Sequence, residues 1–305
     1  MAWTETNIPN LNNKTIVVTG ANSGIGFEAV KLFAKNGAEV VMACRSTERG
    51  QRAFDDIKAE HPQASLTLMS LDLASFQSIR AFSKQLHERF QKIDILLNNA
   101  GIMMTPFGVT VDGIEQQQAV NHFGHFLLTS LVFDLIKNAD QPRIVNIASI
   151  AHKYGKMNFD NLFYQNGKGY NSMTAYGRSK LENLLFTYEL ARRVEAAGLD
   201  IKVLAAHPGV ATTNLGSRIH AKWYYKVFKV FTSSLSQDAY MGSLPGVRAA
   251  VDPDAQNGTY YGPDGFNEMK GNPVVVSSNK RSHDKDAQAR LWTLSEQLTN
   301  STFQI

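Results

Sequence analysis

Tyr176 and Lys180, in Tyr-Gly-Arg-Ser-Lys, stand four positions apart, which on a helix sets a phenol beside an ammonium on one face. A tyrosine of ordinary pKa, about 10, carries protons poorly near neutrality. A fixed positive charge about 4 Å away favours its phenolate by roughly 4 kcal/mol at an effective dielectric near 20. A tyrosine tuned in this way works as a general acid or base. Ordinary helices also carry Tyr and Lys at this spacing, so the weight of the pair rests on its surroundings.

The elements that would position the pair begin with Thr-Gly-Ala-Asn-Ser-Gly-Ile-Gly, residues 19–26, between the apolar run Thr15, Ile16, Val17, Val18 and a helical pattern over 28–36. Gly20 permits a tight strand-to-helix turn, Gly24 lets backbone approach a pyrophosphate, and Gly26 lets helix and strand pack closely. The spacing G-x-x-x-G-x-G at a first strand-turn-helix unit predicts a dinucleotide site. A second strand, 39–43, ends at Cys44 and Arg45. An NAD-selective site offers a carboxylate to the ribose 2′-hydroxyl at this corner. Arg45 instead suits a 2′-phosphate, so NADP is expected over NAD.

Strand-length apolar segments recur at 65–70, 93–98, 143–149 and 201–207 with helical stretches between them, and a late run at 273–277 suggests a seventh strand. The alternation predicts one α/β, doubly wound, Rossmann-type domain over 1–305, with a mainly parallel seven-stranded sheet and helices on both faces. Residues 252–273, rich in Gly, Pro and Asn, read as a long surface connection. Such sheets bind ligands beyond the carboxyl ends of their strands. The residues falling there are Asp72 after the third strand, Asn98, Asn99, Ala100 and Gly101 after the fourth, Ser149 after the fifth, and Pro208 and Gly209, near Thr212 and Thr213, after the sixth.

A chain of 305 residues with 43% hydrophobic content can bury a full core without disulfides or metals. Cys44 is the one cysteine, which excludes an internal disulfide and suits a reducing compartment. Residues 1–14 carry no signal-type apolar core, and no stretch reaches the roughly 20 apolar residues of a membrane span, so a soluble cytoplasmic protein is expected. The net charge of +4 is spread among acids and gives nucleic-acid binding little support. His122 and His125 lack a third ligand, so they read as packing residues and no metal is expected. His207 reads likewise, and 123–136 reads as a buried helix too short and mixed to span a bilayer.

With these motifs together, the chain resembles the short-chain dehydrogenase/reductase family from residue 15 to about 214. Ile-Ala-Ser-Ile-Ala-His at 147–152, Ser-Lys-Leu-Glu-Asn-Leu-Leu-Phe-Thr at 179–187 and Tyr-Tyr-Gly-Pro at 260–263 are similar to its retinol dehydrogenase and WW-domain oxidoreductase branch. Ala148 departs from a frequent serine, and the glycine loop holds no basic residue.

The resemblance implies that Tyr176 is the catalytic acid or base, that Lys180 lowers its pKa and holds the nicotinamide ribose, and that Ser149 hydrogen-bonds the substrate oxygen. It further implies that Asn121 anchors a water linking Lys180 to solvent. The implied cofactor contacts are Gly20, Asn22, Ser23, Gly24, Ile25, Gly26, Arg45, Asp72, Leu73, Asn99, Ala100, Gly101, Tyr176, Lys180, Pro208, Gly209, Val210 and Thr213.

The expected activity is NADP-dependent interconversion of an alcohol with its aldehyde or ketone by hydride transfer, on a small-molecule substrate, in a protein free to form homo-oligomers. The alternatives are a non-catalytic NADP-binding sensor and a C=C reductase similar to protochlorophyllide reductase. Against the latter, Cys44 lies at the ribose end of the site. Phe159, Leu162, Phe163, Tyr164 and Tyr170, in the long interval between Ser149 and Tyr176, suggest an apolar wall beside the site. Within a lid segment over about 210–245, residues 218–231 repeat Ile219, Trp223, Val227 and Phe231 every four positions, with Lys222, Lys226 and Lys229 elsewhere on the helix. This amphipathic helix is expected to cover the substrate entrance, with a fixed cover or a membrane-surface contact as the other readings.

Overall fold

In the computed structural model, which describes residues 2–211 and 236–305, the apolar runs form β1 (Thr15–Thr19), β2 (Glu39–Cys44), β3 (Ser65–Ser70), β4 (Ile95–Asn98), β5 (Arg143–Ile147) and β6 (Lys202–Ala206). With β7 (Tyr260–Pro263) and β8 (Pro273–Val275) they make an eight-stranded sheet, ordered β3-β2-β1-β4-β5-β6-β7-β8. β8 pairs antiparallel with β7, and the other pairs are parallel. The strand order reverses between β1 and β4, which opens a crevice at their carboxyl ends.

This arrangement corrects the expected strand count. The run at 273–277 is the eighth strand, and the seventh lies within the stretch read as a surface connection. Tyr260 and Tyr261 are both buried, but four residues ending Gly-Pro show no measurable periodicity.

The helices are α1 (Gly24–Lys35), α2 (Thr47–Glu60), α3 (Phe76–Arg89), α4 (Gln116–Gln118), α5 (Gly124–Leu131), α6 (Phe133–Lys137), α7 (Ser172–Ala196), α8 (Ala239–Val251) and α9 (Lys285–Thr299). Successive strand side chains point to opposite faces. Ile16 and Val18 therefore join Phe33 of α1 and Val247 of α8 in one core. Val17 joins Phe82 of α3, Phe126 of α5, Phe186 of α7 and Trp292 of α9 in the other. Burying each such side chain contributes about 1.5–3 kcal/mol, so both faces anchor the strand ends that carry the site.

The buried helix read over 123–136 is broken. A π-turn (Ala119–Phe123) precedes α5, and α6 begins after Val132. A Cβ on Gly124 would lie 2.6 Å from the Leu73 carbonyl oxygen, so glycine is what lets α5 press on the turn after β3. No helix among the described residues is long and apolar enough to cross a membrane. Thr213 and the expected lid helix at 218–231 lie outside the described residues.

Candidate active site

One cleft at the switch point, enclosing about 250 Å³, is lined at one end by Gly20, Asn22, Ser23, Gly24, Ile25, Gly26, Arg45 and Asp72. Leu73, Asn99, Ala100 and Gly101 line its middle, and Tyr176, Lys180 and Pro208 its far end. The glycines are there for steric reasons. Gly20 (φ +69°) and Gly24 (φ +58°) occupy the left-handed region, and a Cβ on Gly20 would meet the Ala100 Cα at 2.9 Å. A Cβ on Gly26 would lie 2.5 Å from the Gly20 carbonyl oxygen. Ser23 precedes α1 without capping it through its side chain, so the first-turn N–H groups face the cleft as an anion cradle.

Thr19, which the sequence reading passed over, holds this loop to the next strand. Its Oγ1 accepts the Asn99 and Ala100 N–H groups, each at 2.9 Å, and lies 2.9 Å from His125 Nε2. His125 Nδ1 is 3.1 Å from the Asn121 carbonyl oxygen, so Nδ1 carries the proton and Nε2 accepts from Thr19. Burial pushes the His125 pKa down to about 4, which keeps this neutral tautomer. A residue read as packing is thus a polar link from β1 to the π-turn. His122 is also buried, with Nε2 3.0 Å from Ser295 Oγ, away from the cleft.

At the opposite corner Arg45 is joined by Arg49, in the first turn of α2. Both are exposed, and among the described residues neither guanidinium has a carboxylate at ion-pair distance. Arg49 lies four residues beyond Arg45, across the loop that Ser46 closes by accepting the Arg49 N–H at 3.3 Å. The spacing was visible in the sequence, but the direction of the turn was not.

Ser149 follows β5 and starts a 3-10 turn, its Oγ accepting the Ala151 N–H at 3.2 Å. Its side chain is a hydrogen-bonding neighbour that acts on the Tyr176 hydroxyl. Burial raises the Tyr176 pKa, and Ser149 opposes the rise. Lys180 is fully enclosed. Its Nζ donates to the Ile147 carbonyl at 2.9 Å and sits 5.8 Å from the Tyr176 ring centre, and burial lowers its pKa to about 7. Burial thus opposes the expected lowering of the tyrosine pKa by Lys180. Desolvation acts on both groups and favours neutral phenol and neutral amine over the charged pair.

Asn121 makes contacts that the sequence did not show. Its amide donates to Ser179 Oγ at 2.8 Å and to the Ile102 carbonyl at 3.0 Å, and its Oδ1 accepts the Ile102 N–H at 2.8 Å. The side chain thus clamps the loop after β4 to α7. A Cβ on Gly101 would sit 3.2 Å from Asn121 Oδ1 and 3.5 Å from Lys180 Nζ, so the loop threads between these two side chains.

Two further expectations shift. Of Pro208, Gly209 and Val210, only Pro208 lines the cleft, because the Val210 N–H donates to the Met269 carbonyl at 2.7 Å. Part of the expected apolar wall packs into a small core of its own. Leu162 is buried with Phe159 and Phe163 against Ile114, Phe123, Leu181 and Leu291, a satellite core beneath the cleft. His207 does more than pack. It accepts the Gly209 N–H on Nδ1 at 3.2 Å, and its Nε2 lies 3.0 Å from Glu268 Oε2.

A phosphate cradle at a helix start, two unpaired arginines at one end and a Ser-Tyr-Lys group at the other fit a nicotinamide dinucleotide lying along the cleft. The comparisons agree: the short chain dehydrogenase model matches residues 14–223, and the chain belongs to that family, as an NAD(P)-dependent oxidoreductase acting on CH-OH and C=O groups. Among its relatives, retinol dehydrogenase 14 of Mus musculus is 36% identical over 299 residues, covering 94% of this chain and 86% of the relative. Retinol dehydrogenase 13 of Homo sapiens is 38% identical over 292 residues, covering 93% and 84%. Among solved structures, an uncharacterized protein from Mycobacterium paratuberculosis superposes with a TM-score of 0.83 at 36% identity, covering 100% of both chains. A Shigella flexneri short chain dehydrogenase complexed with NADP shares the fold, with a TM-score of 0.63 at 20% identity, covering 83% of this chain and 98% of that one.

Proposed function

We propose that this protein is an NADP-preferring reductase or dehydrogenase for apolar alcohol and carbonyl compounds, with Ser149, Tyr176, Lys180 and Asn121 as its catalytic group. The observation that carries this reading is one cleft with Arg45 and Arg49 at one end, neither at ion-pair distance from a carboxylate among the described residues, and Ser149, Tyr176 and Lys180 at the other. The bound cofactor would supply or accept the hydride. The residues present handle the proton. In the reducing direction Ser149 hydrogen-bonds the substrate oxygen as negative charge develops on it, and Tyr176, held as a neutral phenol by burial, donates its proton there. Lys180, titrating near 7, exchanges a proton with its surroundings at physiological pH. Asn121 holds the loop that carries Gly101 and Ile102 against α7.

Apolar specificity is supported by Ile102, Met103 and Ala148 along the cleft and by exposed Met173, one turn before Tyr176. It is also supported by the likeness to retinol dehydrogenases over most of the chain. The test is depletion of NADPH and NADH by purified protein over a panel of carbonyls graded in size and apolarity. Turnover that rises with apolar size and favours NADPH is expected. Tight NADPH binding without turnover would instead favour the sensor reading, and turnover of conjugated C=C bonds alone would favour a C=C reductase.

A further inference from the structure

Beneath the proposed active site, two side chains share a deficit that a single proton removes. Glu182 of α7 and Gln118 of α4 are both fully buried, and the Gln118 amide Nε2 donates to Glu182 Oε1 at 2.7 Å. The other oxygen of each group, Glu182 Oε2 and Gln118 Oε1, is buried without a partner. If the carboxyl were ionised, both orphans would be acceptors, and a buried unpaired acceptor costs about 1–3 kcal/mol, more when charged. Turning the Gln118 amide round removes the one good bond and mends nothing. A proton on Oε2 makes it a donor, for which the orphan oxygen of the bonded amide is the complementary acceptor.

We infer that Glu182 is held as a neutral carboxylic acid, closed with the Gln118 amide into a ring of two hydrogen bonds, and that it is a positioning residue for the helix pair bearing Asn121 and Tyr176. The register supports the second half. Three residues on from Gln118 is Asn121, three back from Glu182 is Ser179, and these two are joined at 2.8 Å. The Gln118–Glu182 and Asn121–Ser179 links are thus consecutive rungs between the same two antiparallel segments. The Asn121 rung fixes the loop at Ile102, and the Glu182 rung lies directly behind it.

The charged groups facing Glu182 fit a neutral acid. Arg178, one turn earlier, is committed elsewhere: Nε donates to the Lys156 carbonyl at 3.1 Å, and Nη1 to the carbonyls of Asn161 and Leu162 at 3.2 and 2.6 Å. Its guanidinium lies 4.3 Å from the Tyr164 ring centre, and the Tyr164 hydroxyl also feels Glu182. The nearby carboxyl, Glu115, accepts the N–H groups of Gln117 and Gln118, each at 3.0 Å, and lies 3.4 Å from the Tyr170 hydroxyl. Burial raises the pKa of both acids; the N–H groups given to Glu115 hold its rise back, and Glu182, without backbone donors, is the one that takes the proton. In agreement, burial raises the Glu182 pKa from 4.5 to about 8 against the lowering pull of Arg178 and the Gln118 amide, with a smaller upward push from Glu115.

The test compares wild type, Glu182→Gln and Glu182→Leu by difference infrared spectroscopy, thermal unfolding and turnover. Wild type should show a protonated-carboxyl C=O band near pH 6 that is absent in Glu182→Gln and fades as pH rises through about 8. The sign for stability follows from the raised pKa. The contribution is complete below the unfolded value near 4.5, falls as pH rises, and is gone above the folded value near 8, so the wild-type melting temperature should decline across that window. Glu182→Gln, which can close the same ring amide to amide, should lack that share of the decline. It should also recover turnover that Glu182→Leu loses at least tenfold. No carboxyl band and an unchanged pH slope in Glu182→Gln would overturn the neutral acid, and equal kcat in the Gln and Leu variants would overturn the positioning role. The infrared and melting readouts need no turnover, so they stand apart from the fate of the proposed reaction.

Discussion

Replacing Arg45 and Arg49 with alanine, singly and together, tests the cofactor preference at the point where charge decides it. A hydrogen bond to a charged group contributes about 1.5–3 kcal/mol in a favourable setting. Both guanidiniums are exposed, so water and salt screen them, and about 1–1.5 kcal/mol each is the sounder figure. That corresponds to a roughly 5- to 12-fold rise in the NADPH dissociation constant for either single variant. The double variant should fall short of the product, because both side chains would reach one phosphate and each partly covers for the loss of the other. NADH carries no 2′-phosphate, so its affinity should change less than about twofold. Titrating the intrinsic fluorescence of each reduced cofactor, at low salt and near 0.5 M salt, measures all four quantities. The wild-type advantage for NADPH should shrink at high salt, where the screening length falls below about 5 Å. Equal weakening of NADH and NADPH, or a wild type that binds NADH more tightly, would refute the assignment of this corner to a 2′-phosphate.

Tyr176→Phe should leave NADPH affinity near normal and cut turnover at least about 100-fold, as expected for removal of a general acid; near-normal turnover in a stopped-flow assay would remove Tyr176 from the mechanism. Gly26→Ala should destabilise the fold by roughly 1–3 kcal/mol and weaken both cofactors, since its Cβ would meet the Gly20 carbonyl oxygen at 2.5 Å; denaturant unfolding and the same titrations check this. Lys180→Met should abolish turnover yet raise the melting temperature near pH 7. The folded-state pKa of Lys180 is depressed from 10.5 to about 7, so the cost of burying it is absent above about 10.5 and grows as pH falls towards 7. The Ile147 carbonyl keeps a donor in Asn183 at 3.0 Å, so the gain should vanish near pH 10.5, and equal melting curves at neutral pH would contradict it.

What the sequence could and could not disclose follows the range of the interactions. The glycine loop, the ends of β3 to β5 and the Tyr-Lys spacing are local patterns, and the doubly wound sheet brings them to one cleft because parallel strands expose their carboxyl ends together. β7 was hidden because two buried tyrosines followed by Gly-Pro look the same in a turn as in a short strand. The aromatic insertion was read as apolar, but composition does not say that Leu291 of α9 covers Leu162.

The electrostatics of the pair was the least legible part. The spacing shows a Coulomb attraction of roughly 4 kcal/mol between Tyr176 and Lys180 but not what opposes it. Removing a charge from water costs several kcal/mol per ion, and neither group could be known to be wholly buried until α7 was seen pressed on β5 and β6. The same competition governs the rungs behind it. Thr19 meets His125, and Gln118 meets Glu182, over separations of 106 and 64 residues, so no spacing rule could pair them. Once buried and paired, each is held in one protonation state by burial together with its hydrogen bonds. A neutral His125 and a neutral Glu182 brace the two sides of Asn121 without adding charge to the interior that must hold Tyr176 as a phenol. The bracing residues are thus neutral for the same physical reason that the acid is, and a single ionisation among them would disturb geometry and proton affinity together.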